Sequence, residues 1–128
     1  MICNLQFENW NLMRIEDLFK IENTGREYKQ SILINFYYGY TSLDELHSLE
    51  SKLRIFLYNK GIGELDGHEI NMDYSDGTLY LFAHNAEELF KAIRPLLLEV
   101  PFMKKAEVHL RFGDLRDASA SEIDFVLE

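Results

Sequence analysis

Apolar residues along this chain switch between two periods, and the switches mark its elements. Ile32 to Tyr38 is dense in β-branched and aromatic residues and is closed by Gly39, a run suited to a buried strand. Thr41 and Ser42 are each followed three positions later by an acid, Asp44 and Glu45, so either supplies the N-cap of a capping box. Leu43, Leu46, Leu49, Leu53, Phe56 and Leu57 then recur at steps of three and four. That spacing predicts a helix over 42–60, with Gly61 in the left-handed position past its end.

Two strand-like segments follow, 62–74 and 78–82, separated by Ser75-Asp76-Gly77. Gly77 suits the positive φ that ends a three-residue hairpin loop. Asn85 with Glu88 is a second capping signal, and Ala86, Leu89, Phe90, Ile93, Leu96, Leu97 and Val100 trace a second helical stripe ending before Pro101. Pro95 lies well inside that stripe, where its missing N–H and its ring are expected to kink or divide the helix. Val108, Leu110 and Phe112 alternate with Glu107, His109 and Arg111, the pattern of a strand with one wet face. Ile123, Phe125 and Leu127 predict a last short strand.

The order from Ser31 to Phe112 is strand, helix, strand, strand, helix, strand. It predicts an α+β fold, a ferredoxin-like split βαββαβ sandwich whose antiparallel sheet carries both helices on one face. The 128 residues read as one domain with a core over 31–113. Residues 1–30 form an N-terminal extension, in which Trp10, Leu12, Ile15, Leu18 and Phe19 hint at a short helix and Thr24 to Gln30 reads as a polar connector. Residues 114–128 carry the C-terminal strand, which either extends an edge of the sheet or contacts another subunit.

Composition narrows the function classes. Thirteen Lys and Arg against 22 Asp and Glu give a net charge of -9, which opposes binding to nucleic acid or to an anionic membrane surface. No apolar run approaches the length of a membrane helix, and the start has no basic region leading into a long apolar stretch. Cys3 is the single cysteine, so no disulfide or cysteine metal site is expected within the chain, and a soluble cytoplasmic protein is the simplest reading. No Gly-x-Ser-x-Gly elbow, dinucleotide motif or phosphate loop occurs, and no cofactor is expected.

Acids concentrate between Gly63 and Asp76, with one histidine among them: Glu64, Asp66, His68 and Glu69, then Asp73 and Asp76. These six are the candidate binding residues. Strict alternation along the strand puts Glu64, Asp66 and His68 on one face and Glu69 and Asp73 on the other. Asp66 would then orient His68, as a carboxylate orients a catalytic or metal-bound imidazole. A bulge at Gly67 would change that facing. His109, between Glu107 and Arg111, reads as part of a cross-strand charge ladder, His84 as a loop residue and His47 as solvated.

Aromatic residues cluster on the strands: Phe36, Tyr37, Tyr38 and Tyr40 on the first, then Tyr74, Tyr80 and Phe82 on the hairpin. Some must lie on the face opposite the helices, to be covered by a second copy in a homodimer or by the first 30 residues. The segment from Gly63 to Gly113 contains Glu64-x-Asp66-Gly67-His68-Glu69, Ser75-Asp76-Gly77-Thr78-Leu79-Tyr80, Pro101-Phe102-Met103-Lys104 and Leu110-Arg111-Phe112-Gly113. In this it resembles a group of small uncharacterised bacterial proteins, a likeness that implies relatives and no mechanism.

Three readings fit this sequence. The leading one is a non-catalytic interaction module, an acidic protein of immunity-like type that binds a basic protein partner, because complementary fields speed encounter. The second is a regulatory dimer that senses a small molecule. The third is a hydrolytic or metal-dependent enzyme using Asp66, His68 and Glu69.

Overall fold

The computed structural model describes residues 28–114 and 117–128. The helical hint at Trp10 to Phe19, the start of the polar connector and Cys3 lie outside the described residues. Five strands and two helices follow in the order β1 (Gln30–Tyr37), α1 (Asp44–Lys60), β2 (Gly63–Ile70), β3 (Asp76–Ala83), α2 (Ala86–Leu98), β4 (Glu107–Arg111) and β5 (Glu122–Val126), with a 3-10 turn at Pro101–Met103. The strands form one sheet in the order β2-β3-β1-β4-β5, and every neighbouring pair is antiparallel. The C-terminal strand therefore extends an edge of the sheet.

Alternation along each strand decides which face is buried. Register aligns Leu65, Leu81, Ile32 and Leu110 across four strands, and Leu79, Ile34 and Val108 make the next apolar row. Both helices contribute to the cluster that these rows form: Leu46, Leu49, Leu53 and Leu57 from α1, and Ala86, Leu89, Phe90, Ile93 and Leu97 from α2. Each fully buried Leu or Ile contributes roughly 1.5–3 kcal/mol relative to exposure. The stripes expected from the sequence are thus the ones that pack. Opposite them, Leu33, Asn35 and Tyr37 of β1 alternate onto the second face with Thr78, Tyr80 and Phe82 of β3.

The first turn of α1 is not held by a capping box. Leu43 is the N-cap residue and makes no side-chain cap bond. Ser42 Oγ accepts instead from the Asp44 N–H at 3.3 Å. The hydroxyl of Tyr38 takes over the capping role: it accepts the Leu46 N–H at 3.2 Å and donates to the Ser42 carbonyl at 2.6 Å. In α2 the Asn85 cap forms as expected, with Oδ1 accepting from the Glu88 N–H at 3.0 Å. Gln30 of β1 adds a second acceptor, its Oε1 taking the Ala86 N–H at 2.7 Å.

Two other expectations need correction. Pro95 does not divide its helix, because α2 runs unbroken from Ala86 to Leu98 with the proline inside it. Gly77 is not a turn residue: the loop spans 71–75, Tyr74 takes the positive φ of 62°, and Gly77 pairs with Ile70 and Phe36 inside the sheet. The glycine is needed for closeness, since a Cβ there would lie 2.5 Å from the Glu69 carbonyl oxygen and 3.0 Å from Phe36 Cζ.

Candidate functional site

A bulge in β2 rearranges the acidic stretch. Leu65 lies opposite Leu81 and Gly67 opposite Tyr80, so Asp66 is an extra residue on the β2 side. Beyond it the facing reverses from strict alternation. His68 falls in the row of Leu79, on the helix-packed face, while Glu69 falls opposite Thr78 on the other face. Asp66 and His68 therefore do not orient one another.

The partner of His68 comes from α1. Its Nδ1 lies 2.6 Å from Glu50 Oε2, with the two side chains 22% and 10% exposed. Glu50 occupies a buried position on the stripe of Leu46, Leu49 and Leu53, and burial of a carboxylate demands such a partner. The ring of His47 stands 6.1 Å from that of His68, centroid to centroid. One turn further along α1, Arg54 donates to the Leu65 carbonyl at 2.9 Å. Desolvation raises the Asp66 carboxyl above the usual carboxylate range, and the Arg54 guanidinium acts in the opposite sense.

The remaining candidates divide between a turn and a groove. Asp73 accepts the Ser75 N–H at 3.0 Å, and its hydrogen bonds from Ser75 hold its carboxyl below the usual value. Glu64 is half-buried opposite Phe82. Glu69 and Asp76 line an open groove of about 690 Å³ together with Asn35, Tyr37, Thr78 and Glu107. Within it Thr78 donates to Asn35 Oδ1 at 2.6 Å and the Asp76 carboxylate takes the Asn71 amide, while Tyr80, outside the lining, donates to Glu69 Oε1 at 2.8 Å. Desolvation pushes the Tyr80 hydroxyl up to about 12, with Glu69 and Asp66 adding to the rise. Tyr37 stands 67% exposed at the rim, an aromatic face available to a cation.

Of the six candidates, then, Glu69 and Asp76 line the groove, Asp66 acts with Glu69 on the Tyr80 hydroxyl, and Glu64, His68 and Asp73 are not among the lining residues. Glu107, Asn35 and Glu50 were missed in sequence. Glu107 reaches the groove because β4 pairs with β1, a long-range contact that no local spacing announces. An acid at a buried stripe position was the available signal for Glu50.

The second face continues beyond the groove. His109 Nε2 lies 3.1 Å from Glu122 Oε1, its Nδ1 contacts Asp124, and Arg111 pairs with Glu122. This is the charge ladder expected around His109. Among the described residues, no group of three or more His, Cys, Asp or Glu is placed to hold a metal ion, and no helix is long and apolar enough to cross a membrane. No family model, curated protein or solved structure matches the chain.

Proposed function

We propose that the protein is a non-catalytic interaction module whose acid-lined groove receives a basic protein partner, in the manner of an immunity-like blocker. The observation that carries this reading is the lining of that groove. Glu69, Asp76 and Glu107 face it together with the exposed Tyr37, and no Lys or Arg of the described residues is among them. A lysine or arginine side chain entering there meets carboxylates and an aromatic ring, and the chain's net charge of -9 adds long-range attraction. The bulge that puts His68 and Glu69 on opposite faces and leaves Asp66 unpaired with His68 supports an interaction module over an enzyme built on those three residues.

The same proposal reads the fold as a ferredoxin-like split βαββαβ sandwich with β5 added at one edge. Supporting it are the order β2-β3-β1-β4 and the single cluster that buries both helices. Titration calorimetry with a short arginine-rich peptide and a glutamate-rich one tests the functional reading. Binding of the basic peptide alone, weakened by salt and by Glu69→Gln with Asp76→Asn, is the expected result. Equal binding of both peptides, or of neither, would overturn it.

A further inference from the structure

The two edges of the sheet are finished differently. At the β2 edge the strand is bulged at Asp66, α1 packs alongside it, and Arg54 occupies the Leu65 carbonyl. Bulges and covering elements are the usual means by which an edge is closed to further pairing. At the opposite edge, β5 has one neighbour among the described residues, β4.

Hydrogen bonds fix which backbone groups of β5 are turned outward. The Leu127 N–H donates to the Ala106 carbonyl at 2.8 Å, and the Ser121 carbonyl accepts from the Phe112 N–H at 2.9 Å. Backbone direction alternates along an antiparallel strand. Residues 121, 123, 125 and 127 thus bond inward to the β4 side, and Glu122, Asp124 and Val126 turn their N–H and C=O groups away from the sheet. No described residue pairs with those groups.

Side chains along this edge state what can add to it. Glu122 and Asp124 project on the second face and Ile123 on the helix-packed face, with Ile123 48% and Val126 46% exposed. Glu107, next to β5 across the pairing with Val126, adds a third carboxylate. Among the described residues, Arg111 is the one arginine or lysine bonded to this set. A second copy of the chain is a poor sixth strand, because every two-fold register centred on residues 122 to 124 sets an acid against an acid.

We infer that the β5 edge accepts an extended segment of a basic partner as a sixth antiparallel strand, with Lys or Arg opposite Glu122 and Asp124 and an apolar residue opposite Ile123. Main-chain bonds supply affinity and alternate side chains supply selectivity, as in strand addition generally. The inference rests on the reading of the protein as a binder of basic partners and assigns that partner's recognition element.

The test uses the full chain, isotopically labelled, with a short peptide alternating Lys and Val, its Glu-Val counterpart and an unstructured arginine-rich peptide. Protection of the Glu122, Asp124 and Val126 amides from exchange by the Lys-Val peptide alone is the expected result. Val126→Pro, which removes one outward N–H at an edge that tolerates proline, should abolish that protection. Asp124→Asn should weaken binding roughly two- to fivefold. If basic peptides bind but shift only Asn35, Glu69 and Asp76, the edge assignment fails while the groove reading stands. Protection by the Glu-Val peptide also overturns the assignment, and no binding by any basic peptide defeats both readings.

Discussion

Glu50 on α1 and His68 on β2 meet at 2.6 Å where the helix crosses the edge of the sheet, each closing the other's exposure to water. Removing one partner leaves the other buried without its bond. We expect His68→Ala to destabilise the protein by on the order of 1–3 kcal/mol. Replacing both, Glu50→Leu with His68→Leu, should recover much of that loss because no orphaned carboxylate remains. Urea denaturation of His68→Ala, and of Glu50→Leu, His68→Leu and the double variant, checks this, and an additive double variant would show that the pair is uncoupled.

Tyr38→Phe keeps the ring packing of Tyr38 against Phe102 and Tyr74 and removes only the hydroxyl that caps α1. A loss of roughly 0.5–2 kcal/mol follows from the value of such caps. The urea midpoint should fall while the slope of the transition stays constant. No change in midpoint would mean that the Leu46 N–H finds another acceptor.

Tyr80 gives the protein an alkaline limit. Its hydroxyl titrates at about 12 when folded, above the value of about 10 in an unfolded chain. The folded state therefore favours the protonated form, and the associated stability is fully present below the unfolded value. It is lost as pH rises from there through the folded value. Urea midpoints should decline across that window in the native chain and decline less in Tyr80→Phe, with ultraviolet titration reporting tyrosinate formation.

Gly77→Ala places a methyl group against the Glu69 carbonyl and the Phe36 ring. Neither neighbour is a free side-chain end: one is backbone in a paired strand and the other is a fully buried ring. A loss of roughly 1–3 kcal/mol is expected from overpacking of this kind. Thermal denaturation measures it, and a neutral substitution would show that β2 and β3 can separate locally at no cost.

The elements were legible where their information is local. The leucine stripes of both helices, the Asn85 cap and the alternation of β4 all follow from neighbours within a turn or two residues. What escaped reading depends on distant partners. Tyr38 takes the Leu46 N–H from before the loop, so Ser42 serves only the Asp44 N–H and neither it nor Thr41 forms the capping box their spacing suggested. One bulged residue, Asp66, reversed the facing of everything after it, and a period-two pattern cannot register an insertion without its partner strand. Pro95 reads as a breaker from its own chemistry, yet α2 continues around it while Ile93 and Leu97 remain buried on either side. Glu69 and Asp76 were nameable as acids, but the groove they line exists because β1 brings Asn35 and β4 brings Glu107 beside them.

The two helix starts share an owner. Gln30 opens β1 and bonds the first N–H of α2, while Tyr38, just past the end of the same strand, bonds the N–H of Leu46 in α1. Each helix draws one of its initiating acceptors from β1 or the residue after it, Gln30 lying 56 positions from Ala86 and Tyr38 8 positions from Leu46, so neither carries a complete start signal within its own residues. A peptide covering 43–60 or 86–98 lacks that acceptor and pays the full cost of nucleation. Helix and sheet should then assemble in one cooperative event with β1 as its hinge of timing, and slowing the docking of this strand would delay both helices together.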